Sequence, residues 1–253
     1  MIFVFNKDRI KTYLVSMLTL AMLIIFSNIG NIKSIQTSSV PKYLPIYNVK
    51  TDEKKIAFTM NCAWNAADID SILETLKNNN VHITFFMVGD WVDKYPEAVK
   101  KINEAGHEIG SHSNTHPHVN KLSAEKNLEE INLSVAKIQK ITGQKANIYR
   151  APYGEYNNTV IKTAEENGYY TIQWNLDTLD YKGLTGEQMW NRLKNKLENG
   201  AIILSHNGTK HTADSLDMLI KNIKSKGYEI ITVSQLIYKD NYIINGNGTQ
   251  IHE

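Results

Sequence analysis

Two hydrophobic periods alternate along this chain, and that alternation limits its fold more than any other feature. Apolar runs of strand length at 56–60, 82–88, 170–174, 201–204 and 229–232 are separated by segments whose apolar residues recur at helical spacing. In 67–79 the apolar face is Ile69, Ile72, Leu73 and Leu76, and in 124–142 it is Leu128, Ile131, Val135, Ile138 and Ile141. Further helices are predicted over 96–105, 159–167, 186–198 and 212–226, with Gly106 and Gly168 as stops. A short strand around Ile148 ends at Arg150, and Gly89 closes the 82–88 strand. Strand–helix alternation implies parallel strands joined by right-handed crossovers. About seven such units close, or nearly close, into a barrel one unit short of the eight-stranded type.

Polar clusters follow the apolar runs. They are Ser111 to His118, Arg150 to Gly154, Trp174 to Tyr181, and Ser205 to Asn207. In a β/α fold the C-terminal ends of the strands carry the chemistry, so all four clusters belong on one face. His112 and His116 are four apart with small polar residues between them, and imidazole is a common zinc ligand. Spacing of i, i+4 lets two rings converge from one helical turn. Taken alone, the pair is equally a polar loop. His118 is read as a neighbour, and His107 as structural.

Together these motifs resemble the polysaccharide deacetylases, the NodB-homology group or carbohydrate esterase family 4, over residues 54–238. His112 and His116 match the family's H-S/T-x-x-H motif. Arg150, Pro152 and Tyr153 match R-x-P-Y, Asp180 and Tyr181 match D-x-x-D-W with Tyr for Trp, and Leu204 and His206 match L-x-H. The resemblance implies a distorted (β/α)7 barrel and metal-dependent removal of N-acetyl groups from envelope polysaccharide, peptidoglycan favoured. It implies a divalent metal, zinc or else cobalt or another ion, on His112 and His116. It makes His206 the general acid, with Asp180 on its other ring nitrogen. Tyr153 becomes the oxyanion donor through its backbone N–H, and Tyr181 and Leu204 form the acetyl pocket. Arg150 orients the base in the family. Here it would pair with Asp180 or Asp177, or help hold the anionic intermediate. Trp64 stacks on a sugar ring or packs in the core, and Trp174 packs in the core.

The first family motif, T-F-D-D, reads Thr59-Met60-Asn61-Cys62 in this chain. Asn61 stands where the catalytic base belongs, and an amide does not accept a proton at neutral pH. Cys62 stands where a metal carboxylate belongs; it is either a third ligand as thiolate or a small buried hydrophobe. Asp68 is the nearest spare carboxylate. This segment most resembles a sporulation-type branch of the family. Two functions stay open: a deacetylase, or a catalytically impaired glycan-binding pseudo-enzyme.

A basic region at Lys7, Arg9 and Lys11 precedes an uncharged run from 12 to 32. That pattern is a membrane anchor or an export signal. Residues 1–32 are therefore assigned to signal or anchor, 33–53 to a linker, 54–240 to the barrel and 241–253 to a tail. An exported, envelope-located monomer is expected. The net charge of +2 gives no case for nucleic acid, and a single cysteine excludes an internal disulfide.

Overall fold

Near-continuous burial along one strand organises the molecule. Lys55–Cys62 is buried at every residue after the first, as a parallel strand covered on both faces must be. The computed structural model describes Lys11, residues 16–20 and residues 42–253. Within 42–253 the strands are β1 (Asn48–Val49), β2 (Lys55–Cys62), β3 (Thr84–Met87), β4 (Glu108–Ser111), β5 (Ile148–Tyr149), β6 (Tyr170–Thr171), β7 (Leu176–Asp177), β8 (Ile202–His206), β9 (Glu229–Ile231), β10 (Tyr242–Ile244) and β11 (Thr249–His252). Helices between them are α1 (Ile69–Asn78), α2 (Gly89–Lys94), α3 (Pro96–Glu104), α4 (Ala124–Thr142), α5 (Asn158–Glu166), α6 (Gly186–Leu193), α7 (Thr212–Ser225) and α8 (Val233–Leu236).

The main sheet runs β6-β5-β4-β3-β2-β8-β7, and β9 joins the start of β2. Every pairing in it is parallel. It curls into a half-barrel, the distorted barrel expected. Helices cover its outside through their apolar faces: Ile69, Ile72 and Leu76 from α1, Ile131, Val135 and Ile138 from α4, and Leu216, Leu219, Ile220 and Ile223 from α7. Each such side chain, fully buried, is worth about 1.5–3 kcal/mol. Ser123 caps α4 by accepting from the Lys126 N–H, and Gly143 ends that helix in the left-handed conformation.

The expected boundaries change at several places. The sequence reads as a linker over 33–53, but Ile46 and Val49 are fully buried. Ile46 bridges to Ile172 beyond β6, and Asn48 bridges to Ala201 before β8. The segment thus crosses the seam that an open sheet leaves, a tertiary role with no periodicity to reveal it. Residues 241–253 are no tail either: β10 and β11 pair antiparallel, and β11 pairs parallel with β1. Gly89 opens α2 instead of only closing a strand, and the close approach of Asn114 leaves no room for a Cβ there. The helix predicted over 186–198 stops at Leu193. The signal or anchor assigned to residues 1–32 lies almost wholly outside the described residues. Among the described residues no helix is long and apolar enough to cross a membrane.

Candidate active site

Strand alternation decides which residues of β2 reach the site. Phe58, Met60 and Cys62 face the apolar core, whereas Asn61 lines a pocket at the C-terminal end of the sheet. The Cys62 thiol is fully buried, and burial holds its pKa well above the ordinary value. The structure therefore corrects Cys62 as a metal ligand: it is the small buried hydrophobe. Asp68 is also engaged elsewhere, accepting from the Asn207 side chain at 3.1 Å and the Gly208 N–H at 2.7 Å.

The pocket, about 470 Å³, brings together Asn61, His112, His116, Tyr153, Tyr181 and His206, with Trp64, Trp174, Gly154 and Leu204 around them. His112 and His116 do not share a helical turn. They follow β4 on a loop bent by left-handed residues at Ser113 and His116. Their rings meet edge to face at 4.9 Å between centroids. Glu130 of α4 pins this loop, accepting from the Asn114 N–H at 2.9 Å and from the Thr115 N–H at 2.8 Å. No sequence motif marked Glu130, because its spacing to the loop is set only by tertiary packing. Burial, and then the neighbouring His116, lower the His112 pKa well below its ordinary value; His116 is lowered too, chiefly by burial. Both rings are thus biased towards the neutral form. His112 Nδ1–H donates to the Arg150 carbonyl at 2.7 Å, so Nε2 is the unprotonated nitrogen.

Arg150 is completely buried, and its acceptors are neutral. Nη1 donates to Thr59 Oγ1 at 2.8 Å and Asn61 Oδ1 at 3.0 Å, Nη2 to the Gln173 carbonyl at 3.1 Å, and Nε to the Ile172 carbonyl at 3.4 Å. The guanidinium also lies 4.1 Å from the Phe86 ring centre. Of the partners the sequence leaves open, it pairs with neither Asp180, which accepts from His206, Tyr181 and Thr212, nor Asp177, which accepts from the Leu179 N–H. Burial without a carboxylate pushes the Arg150 pKa down to about 9.

Asp180 sits on the turn after β7. Its Oδ1 accepts from His206 Nδ1 at 2.8 Å and from the Tyr181 N–H at 2.9 Å, and its Oδ2 accepts from the His206 N–H at 2.6 Å and Thr212 Oγ1 at 2.8 Å. Four donors fix this carboxylate, and it fixes the imidazole. The His206 ring is flanked by Trp64 and Tyr181, each 5.3 Å away between centroids. Trp64 is 49% exposed, so it is a rim residue and not core. Trp174 lines the pocket while packing over Arg150. Tyr153 takes a left-handed φ of 58°, and its ring stacks on His118, which is held at 2.7 Å by Glu155.

Catalytic zinc centres use three protein ligands. Here two imidazoles converge, and among the described residues no group of three His, Cys, Asp or Glu side chains is placed to hold a metal. The residues present do not complete such a centre.

A family model for polysaccharide deacetylase matches residues 48–172. The chain is 36% identical to protein YlxY of Bacillus subtilis over 193 residues, which span 76% of this chain and 60% of that protein's length. Among solved structures it is similar to BA3943 of Bacillus anthracis, described as a CE4 family pseudoenzyme, with 31% identity, a TM-score of 0.74, and 83% and 73% of the two chains covered. A mutant of BA3943 is described as having restored enzymatic activity. The chain is also similar to the peptidoglycan deacetylase PdaC of Bacillus subtilis, with 34% identity, a TM-score of 0.67, and 74% and 92% covered. On this similarity in sequence and fold, the chain belongs to the polysaccharide deacetylase (CE4) family.

Proposed function

We propose that this chain works on the N-acetyl sugars of peptidoglycan, receiving one acetamido group in the pocket beneath Trp64 and Tyr181. The observation that carries this reading is the His206–Asp180 pair opening onto that pocket at 2.8 Å. Deacetylation adds water to the acetamide carbon, breaks the C–N bond, and delivers a proton to the departing nitrogen. His206, held in one tautomer by Asp180, supplies that proton. Tyr181 and Leu204 enclose the acetyl methyl, Trp64 stacks on the sugar ring, and the Tyr153 N–H steadies the oxyanion. Asp180 and Arg150 act as positioning residues.

The acid half of this chemistry is assembled, and the base half is not. CE4 deacetylases are generally metal-dependent. Here Asn61 cannot take a proton from water, and His112 and His116 alone would have to hold a divalent ion such as zinc. Turnover in the native chain is accordingly low. A second reading, a glycan-binding pseudo-enzyme, is favoured by the same amide and by the likeness to BA3943. We assign the protein to the cell envelope, with the uncharged run at 12–32 as its anchor or signal and sporulation as its setting.

The test is acetate release from N-acetylated peptidoglycan beside binding of N-acetylglucosamine oligomers to the same protein. Release lost in His206→Ala with binding kept supports the hydrolase. Binding lost in Trp64→Ala without any release from the native chain supports the binder. Neither release nor binding overturns both.

A further inference from the structure

Asn61 is not merely a missing base. It is a link in a closed hydrogen-bond circuit. Arg150 Nη1 donates to Asn61 Oδ1 at 3.0 Å, Asn61 Nδ2 donates to His112 Nε2 at 3.2 Å, and His112 Nδ1 donates back to the Arg150 carbonyl at 2.7 Å. Each member fixes the next. The guanidinium has only donors, so the amide oxygen must face it and the amide N–H must face the imidazole. The Arg150 carbonyl only accepts, so His112 carries its proton on Nδ1 and presents a lone pair to the amide. Asn61 and His112 are buried at this point, so breaking the circuit leaves polar groups without partners.

The lone pair engaged by Asn61 is the one a metal ion would need. A carboxylate at position 61 would instead turn an oxygen lone pair towards His112 Nε2. Two facing lone pairs require a cation between them; an amide N–H does not. We propose that the Asn61 amide substitutes for a metal ion in this chain: it occupies His112 Nε2, satisfies the site without a cation, and lets the pocket bind N-acetyl glycan independently of metal. Only the glycan clause rests on the reading of the pocket given above. The occupancy of His112 stands on the three hydrogen bonds.

Zinc titration by calorimetry on the full-length protein, native and with Asn61→Ala and Asn61→Asp, tests this. Native protein takes up zinc weakly. Asn61→Ala, which frees Nε2 without adding a ligand, tightens binding by about tenfold, the worth of one buried hydrogen bond. Asn61→Asp tightens it further. In parallel, ¹⁵N spectra of histidine-labelled native protein show His112 as the Nδ1–H tautomer and unmoved by a stoichiometric amount of zinc. This second readout needs no variant to fold. Binding of an N-acetylglucosamine tetramer is the same in chelator as with zinc. Native zinc affinity equal to that of Asn61→Ala, or a His112 signal that shifts at one equivalent, overturns the proposal. Metal arms that behave as expected with no glycan binding would instead overturn the substrate reading and leave the circuit standing.

Discussion

Asn61 and His107 show how one side chain can set a property of the whole site or of the whole fold. Replacing Asn61 by Asp places a carboxylate 3.0 Å from Arg150, which otherwise has only neutral acceptors. A general base is worth about 10²–10⁴-fold, so Asn61→Asp is expected to raise acetate release by that order when zinc is supplied. No rise, with metal bound, would locate the defect elsewhere than in the base. His107 acts on stability. Its Nδ1 accepts from the Ile83 N–H, and burial, followed by the neighbouring His82, pushes its pKa down to about 4. The folded state therefore binds its proton less readily than the unfolded chain, whose value is about 6.5. Stability from this group is complete above about pH 6.5 and falls as pH drops towards 4, by on the order of 3 kcal/mol. The lowered His112 and His116 add in the same direction. Denaturant midpoints measured from pH 7 to pH 4 should decline, and His107→Asn, which keeps an acceptor without a titrating ring, should flatten part of that slope.

Among the elements, the long regular ones were legible in the sequence and the short ones were not. The helix over 124–142 was readable end to end because five apolar residues keep one face, and a serine and a glycine bracket it. By contrast β1, β10 and β11 carry too few residues for a period to show, and only their partners define them. The candidate site divides the same way. His112, His116, Arg150, Asp180 and His206 stand at strand ends, where motif spacing finds them. Glu130 and Thr212 hold them from helices, and only tertiary packing reveals that. The orientation of Cys62 follows from strand alternation, because β2 runs two residues past Met60. Gly200 tests the seam directly. It has a φ of 78°, and an added Cβ would press into the Val49 carbonyl of β1. Gly168 has a φ of 80° with open space around it. Gly200→Ala should cost about 2–3 kcal/mol and Gly168→Ala about 1 kcal/mol in chemical denaturation, the difference reporting the clash. Equal losses would mean that β1 does not hold the seam.

At the scale of the molecule, residues Lys42–Glu253 make one compact unit. A fragment starting at Lys42 is expected to unfold cooperatively by circular dichroism. One starting at Asp52 lacks Ile46 and Val49 and so loses about 3–6 kcal/mol of burial. Against a typical total of about 5–15 kcal/mol, that fragment should melt at a much lower temperature or fail to fold. Equal melting of the two would show that the barrel closes without its leading segment. The pairing of β1 alongside β11 also has a mechanical meaning. A pull on the chain ahead of Lys42 enters the domain through residues 46–50, where the Ile46, Val49 and Lys50 N–H groups donate to the carbonyls of Thr171, Gly200 and Gln250 on both sides of the segment. Such a load shears those bonds together instead of unzipping them in turn. A domain tethered at that end would yield at a high force, and its first rupture would open the seam between β6 and β8, not the pocket.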